Sequence, residues 1–305
     1  MDFSEKRAKA IRAAKGMITE SYENEEHILI QAINALGETT KSYNLMCERL
    51  SEWYGIYFPE IKPSNHKELT DLAITMCGSN NISAESISAV VNDPGRADMI
   101  SRKASETIGR KITEDERGAI LAFATMAKST EKTIADMDAY IKSAATRIMP
   151  NVTYITDDKI ASELLSKAGG MKRLSVMPAS TVQLLGAEKA LFKHIKFGSR
   201  PPKYGIIFKL PDVTNAPKDK KGRIARVYAT KICIALKADF FSKRFIAEKL
   251  KADLNAAIAR INATESRPKP QAAQQFRRER FGQYDRNKYR QRPDNRRNSF
   301  RKPAK

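Results

Sequence analysis

Disulfide frameworks, membrane spans and metal-site spacings are all missing from this chain of 305 residues. Its three cysteines, Cys47, Cys77 and Cys233, are odd in number and widely spaced. They suit neither a disulfide network nor a zinc site, and fit a reducing compartment. No apolar run approaches the roughly 18–20 residues that cross a bilayer. The opening Met1-Asp2-Phe3-Ser4-Glu5-Lys6 has no apolar signal core, so the chain reads as intracellular, without a membrane partner. Histidine is scarce, and His27, His66 and His194 stand apart with no neighbouring ligand set. Nucleophile–base pairs and Gly-rich cofactor loops are absent too, so no catalytic residue, cofactor or metal is expected, and the chain is not read as an enzyme.

Acidic residues are also in short supply. Against 55 Lys and Arg stand 35 Asp and Glu, a net charge of +20. The excess is uneven: from Arg267 to Lys305 there are 14 basic residues and 3 acidic ones. Polyanion binding is the natural implication. Residues 264–305 hold almost no aliphatic side chains, while Phe276, Phe281, Tyr284, Tyr289 and Phe300 stand among the arginines. Such a segment cannot bury enough apolar surface to offset its chain entropy, so a disordered, Arg-rich tail is expected.

What the chain has in quantity is helical periodicity. Leu29, Ile33, Leu36, Thr40, Tyr43, Cys47, Leu50 and Tyr54 alternate spacings of four and three. Ile120, Phe123, Ala127, Thr130, Ile134, Met137, Ile141, Ala144 and Ile148 do the same. Such seams are those of coiled-coil packing. The pattern predicts an all-α protein: a short extension (1–20), then a coiled-coil domain (21–150) made of two long antiparallel helices with a small helical insert near 67–109. Two ordinary core helices are the alternative. Pro150 should end the second long helix, since proline cannot continue the hydrogen-bond ladder.

A compact helical domain is expected over 151–263, with helices at Thr181–Lys196, Arg223–Phe240 and Lys243–Ile261. Tyr204–Phe208 could be extended but has no partner strand. In the first helix Leu184, Ala187, Leu191 and Ile195 form an apolar stripe, while Gly186, Lys189, Lys193 and Lys196 share another face. Glycine inside a helix costs about 1 kcal/mol relative to alanine. One reason to place it there is close approach of a phosphate backbone or partner; an incidental glycine on a solvated basic face is the other. In the next helix Ala225, Ala229, Ile232 and Leu236 should face inward, with Arg223, Arg226, Thr230 and Lys237 outward. Arg200, Lys203, Lys209 and the loop Lys218-Asp219-Lys220-Lys221-Gly222 add cations between the helices.

Ordered blocks run through this region: Ala168-Gly169-Gly170, Met177-Pro178-Ala179-Ser180-Thr181-Val182-Gln183, Gly186-Ala187-Glu188-Lys189-Ala190-Leu191-Phe192, Pro202-Lys203-Tyr204-Gly205 and Lys221-Gly222-Arg223-Ile224-Ala225-Arg226. Together they resemble the Nop domain of archaeal box C/D particle scaffolds, their nucleolar relatives and a spliceosomal relative. Trp53-Tyr54-Gly55-Ile56-Tyr57-Phe58-Pro59-Glu60 resembles the same family's coiled-coil region.

The resemblance implies a helical scaffold that binds a kink-turn RNA already held by a small ribosomal-type protein, and that pairs with a second copy through its coiled coil. It implies RNA contacts at Gln183, Gly186, Ala187, Lys189, Lys193, His194, Arg200, Lys203, Arg223 and Arg226. Partner-protein contacts would fall at Glu188 and Phe192, and self-association at Ile120, Ala127, Ile134, Met137 and Ile141. Guide-directed methylation of rRNA or tRNA would be performed by a separate fibrillarin-type methyltransferase. Archaeal members hold that enzyme on an N-terminal domain, whereas only some twenty residues precede the coiled-coil region here. A separate polypeptide, a lost domain and a fragmentary chain all remain open, and direct methyltransferase binding with them. An archaeal-type cytoplasm is expected, or a nucleolus if the cell is eukaryotic. The competing functions are a tail-driven RNA chaperone, a splicing-type assembly factor, and an enzyme with an unfamiliar site.

Overall fold

The computed structural model describes residues 3–22, 25–78, 82–91 and 93–264, and every regular element among them is helical. In chain order these are α1 (Phe3–Tyr22), α2 (Glu25–Tyr57), α3 (His66–Gly78), α4 (Ala84–Ser88), α5 (Pro94–Ser105), α6 (Glu114–Ile148), α7 (Pro150–Ile155), α8 (Asp158–Ala168), α9 (Met171–Val176), α10 (Ala179–Leu184), α11 (Glu188–Phe197), α12 (Pro211–Thr214), α13 (Lys221–Lys237) and α14 (Ala247–Ala263). A 3-10 turn at Ile206–Lys209 precedes α12, and a π-type turn at Ala238–Ser242 follows α13. The Arg-rich tail beyond Thr264 lies outside the described residues.

The two heptad seams close on each other. Leu29, Ile33 and Leu36 of α2 share one hydrophobic cluster with Ile141, Ala144 and Ala145 of α6. Tyr43, Cys47, Leu50 and Tyr54 share a second with Ile120, Ala124 and Ala127. The start of each helix thus meets the end of the other, and the pair is antiparallel. Ile134 packs against both clusters. Ile120, Ala127 and Ile141 are completely buried within this chain, and Ile134 and Met137 partly so. A four–three spacing calls for a partner helix without saying which helix that is, and at these positions α2 and α6 supply it to each other.

Helix α6 begins on a reciprocal cap: the Thr113 hydroxyl accepts from Glu116 N, and the Glu116 carboxylate accepts from Thr113 N at 3.0 Å. It ends at Pro150, which opens α7. The helices α3, α4 and α5 pack on the α2 C-terminal and α6 N-terminal turns through Leu72, Ala73, Ile87, Ala97 and Ile100. A partly buried Arg96–Glu68 ion pair joins α5 to α3. The return to α6 is clasped by Glu60, whose carboxylate accepts from Ile108 N and from the Thr107 hydroxyl, each at 2.8 Å. Gly109 then passes so close to Tyr57 that a Cβ would overlap its carbonyl.

The Ile108 N–H and the Thr107 hydroxyl hold the Glu60 carboxyl below its ordinary range. A depressed acid contributes stability above its unfolded value and loses it as pH falls through the folded one. The Ile108 amide resonance should therefore titrate with a midpoint below the usual glutamate range. In Glu60→Gln it should stay flat.

From α7 onward the first cluster continues. Ile160, Leu164 and Leu165 of α8 pack with Ile224, Ala225, Ala229, Ile232 and Leu236 of α13. The inward face expected of α13 is the buried one, and Arg223, Arg226, Thr230 and Lys237 are exposed. Two local expectations fail. The helix expected over Thr181–Lys196 is two helices, and α14 starts at Ala247, because Lys243 takes a left-handed φ of 54° that stops the preceding turn. Tyr204–Phe208, which had no partner strand, runs into a 3-10 turn.

The π-type turn carries a buried polar knot. Asp239, 2% exposed, accepts from Asn151 N, Asn151 Nδ2 and Val152 N at 2.6–3.1 Å. These amides belong to the first turn of α7, which has no side-chain cap of its own. Asn151 in turn donates to Arg244 O at 2.8 Å and accepts from Ile246 N at 2.6 Å. One carboxylate thereby caps a helix 88 residues earlier in the chain.

Candidate nucleic-acid interface

The basic surface is built around a break in the chain. After α10 ends, Gly186 adopts φ +85°, a conformation that L side chains rarely take. A Cβ there would lie 2.6 Å from Ile206 Cγ1. The missing side chain is thus explained by the chain's own packing, and Gly186 lies before α11 rather than on it. Glu188 seals the break, its carboxylate accepting from Gly186 N at 2.6 Å.

Beyond the break, α11 has no buried residue. Lys189, Lys193 and Lys196 are exposed, and so are Phe192 (59%), Ile195 (75%) and Phe197 (49%). Ile195, at the end of the apolar stripe, therefore faces outward. The end of α11 is fixed by Gly198, left-handed at φ 64°, whose N–H donates to His194 O at 2.9 Å. His194 Nδ1 lies 2.5 Å from Ser199 O, which ties the helix to the strand of loop carrying the exposed Arg200.

A second layer fixes Lys203. Gln183 Nε2 donates to Lys203 O at 2.6 Å, Gly205 N to Gln183 O at 2.9 Å, and Ile206 N to Leu185 O at 2.7 Å. Gly205 crosses α10 so closely that a Cβ would overlap the Leu185 carbonyl. The Lys203 side chain lies beside Gly222, in the first turn of α13, one residue from Arg223. Gln183 thus positions a cation through its backbone, a role that residue type and spacing did not indicate.

The N-terminal end of α13 is rich in cations. Its first turn has no acidic residue, and Lys221 and Arg223 lie there, with Arg226 one turn on. A helix N-terminus carries about +0.5 of a charge, so cations in that turn repel it. A bound phosphate removes that conflict. Of the other cations in the region, Lys209 is paired with Glu163 at 2.5 Å and Lys221 donates to Thr214 O at 2.5 Å.

Burial raises all three cysteine thiols, Cys77 to about 11. Among the described residues, no three His, Cys, Asp or Glu side chains are placed to hold a metal ion, and no helix is long and apolar enough to cross a membrane.

An all-helical protein with a rigidly mounted basic face is what the fold and the site define. The chain belongs to the Nop family: residues 35–260 match the family model described as "snoRNA binding domain, fibrillarin". It is 31% identical over 257 residues to an uncharacterised NOP5 family protein of Methanocaldococcus jannaschii, an overlap of 83% of this chain and 61% of that protein. It is 34% identical over 224 residues to nucleolar protein 56 of Dictyostelium discoideum, and 35% over 222 to nucleolar protein 58 of Candida albicans. Each of these two overlaps takes in 71% of this chain, and 41% and 42% of the respective relatives. The chain thus spans between two fifths and three fifths of the length of these relatives. A chain in a crystal structure of a fibrillarin/Nop5p complex overlays more loosely, with a TM-score of 0.49 and 24% identity over 85% of this chain and 78% of that one.

Proposed function

We propose that this chain is a non-catalytic RNA-binding scaffold of a box C/D-type ribonucleoprotein. It recognises a kink-turn RNA together with the small ribosomal-type protein bound to it. In doing so it supports guide-directed 2′-O-methylation, the chemistry residing in a separate fibrillarin-type enzyme. One observation carries this reading: α11 has no buried residue, yet presents three lysines and three large apolar side chains to solvent. Phosphate contacts alone would leave Ile195 and the rings of Phe192 and Phe197 uncovered, and a purely apolar partner would leave the lysines without phosphates. A composite of RNA and protein satisfies both sets.

Within this reading Lys189, Lys193, Arg200, Lys203, Arg223 and Arg226 meet phosphates. Gly186-Ala187 and His194 lie along the same RNA path, Gln183 holds the Lys203 loop in place, and Phe192 and the edge of Glu188 meet the protein. Self-association through the coiled-coil region uses residues outside the filled seam, where Leu45 and Met126 are exposed. The scaffold works in the nucleolus of a eukaryotic cell or the cytoplasm of an archaeal one.

The test is binding to a kink-turn RNA with and without its small protein across a salt series. The wild type should bind the preformed complex far better than the bare RNA. Lys189→Ala combined with Arg223→Ala should lower the salt slope by about two and weaken binding at every salt concentration. If unstructured RNA binds equally well, and only a chain ending before Arg267 loses affinity, the protein is a tail-driven RNA binder.

A further inference from the structure

On the described surface of this strongly basic chain lies a cleft whose lining is of the opposite character. It occupies about 510 Å³ where α6, α7 and α8 meet the segment before α14. Tyr154 and Phe245 wall it with their rings 5.7 Å apart at 86°, and both are about half exposed. Asp157 and Asp158 stand beside them, and neither carboxylate has an ion-pair partner among the described residues. Asp157 is held in place as the N-cap of α8, accepting from Ile160 N at 2.6 Å.

The hydroxyls in the lining are acceptors as well. Thr146, Thr153 and Thr156 each direct their single proton to a backbone carbonyl: Thr146 to Lys142 O at 2.8 Å, Thr153 to Met149 O at 3.0 Å or Pro150 O at 3.1 Å, and Thr156 to Val152 O at 2.8 Å or Asp157 O at 3.2 Å. What each turns toward a ligand is lone pairs. Lys142, itself exposed, is the one cation in the lining. Two open carboxylates, three accepting hydroxyls and two aromatic rings thus surround the space.

We propose that this cleft takes an arginine side chain presented by a partner protein. A guanidinium is planar, carries only donors, and stacks on aromatic rings while bonding carboxylates in the plane of its fork. An ammonium matches the charge but not the flat walls. A phosphate matches neither, which separates this cleft from the basic face on α11 and α13. The inference goes beyond RNA recognition: it gives the scaffold a protein-docking point that uses none of the lysines or arginines assigned to RNA.

The experiment uses the full chain labelled at its threonine methyl groups and titrated with a blocked Gly-Gly-Arg-Gly-Gly peptide. Matched peptides carry lysine or citrulline in place of the arginine. The arginine peptide should shift Thr146, Thr153 and Thr156, and citrulline, which keeps the shape without the charge, should not. Asp157→Asn with Asp158→Asn should weaken the arginine peptide roughly tenfold, because asparagine keeps the cap and removes the charge. Phe245→Ala, at an exposed position, should weaken it about fivefold. Unchanged α8 amide resonances in the Asn variant show that any loss is not misfolding. The idea is overturned if no threonine shifts, if lysine and arginine peptides bind alike regardless of Phe245, or if a single-stranded oligonucleotide moves these methyls and the arginine peptide does not.

Discussion

Asp239→Ala should be among the most damaging single substitutions in the chain, costing about 3 kcal/mol and lowering Tm by roughly 6–10 °C. It leaves two backbone N–H groups of the first α7 turn and one Asn151 amide proton facing a buried void, whereas the wild-type carboxylate engages all three. Its loss also frees Asn151 to rotate away from Arg244 O and Ile246 N, so the entry to α14 loosens together with α7. Burial pushes the Asp239 carboxyl above its ordinary range, against the pull of the Asn151 and Val152 donors. The folded chain therefore holds that proton more tightly than the unfolded chain does. Stability from this group falls as pH rises through the raised value. Thermal unfolding across pH should show this downward slope in the wild type and lose it in Asp239→Ala. A variant within 1 °C of wild type would show that the knot is bridged by other groups.

Gly205→Ala should have a comparable effect, with a sharper functional consequence. The new methyl would overlap the Leu185 carbonyl, a backbone group that no rotamer change can move. The loop must lift off α10, breaking the bonds from Gly205 N to Gln183 O and from Ile206 N to Leu185 O. A cost of about 3 kcal/mol follows from overpacking combined with two lost backbone bonds. The loop also carries Lys203, so affinity for the RNA–protein complex should drop even at temperatures where the variant stays folded. Gly222→Ala is the control: its Cβ would meet only the flexible Lys203 side chain, at 3.8 Å. Measuring Tm and complex affinity for both variants separates the two cases. Equal behaviour would remove the Lys203 loop from the binding surface.

The long-range frame of this fold could be read directly from residue spacing. Leu29 to Tyr54 and Ile120 to Ile141 predicted two long helices because a buried stripe repeats at the period of the helix itself. Their antiparallel pairing followed from the short helical segment between them. Residues whose roles depend on a distant partner left no such trace. Asp239 sits in a run with Phe240 and Phe241 and gives no sign that its partner is Asn151. Gly186 looked like a helix interior, since Thr181–Lys196 keeps an apolar period straight through it. Only the left-handed φ and the Ile206 side chain show a break, and beyond it the apolar stripe ends at an exposed Ile195. In the candidate interface, Lys189, Lys193, Arg223 and Arg226 were legible as outward cations on helices. The positioning role of Gln183 was not, because a side-chain amide on a loop carbonyl has no sequence period.

The α2–α6 pair is also a gauge. The 35 residues of α6 span about 50 Å at 1.5 Å per residue, with the α3–α5 helices packed at one end and the first α7–α14 contacts at the other. Both cores are fastened to the same two rods, so their separation is counted in helical turns. Seven residues added to each helix would move the ends apart by about 10 Å while nearly keeping their rotational phase. Adding four would turn one end by about 40° relative to the other. The spacing between whatever binds at the two ends is therefore written into the chain in whole heptads.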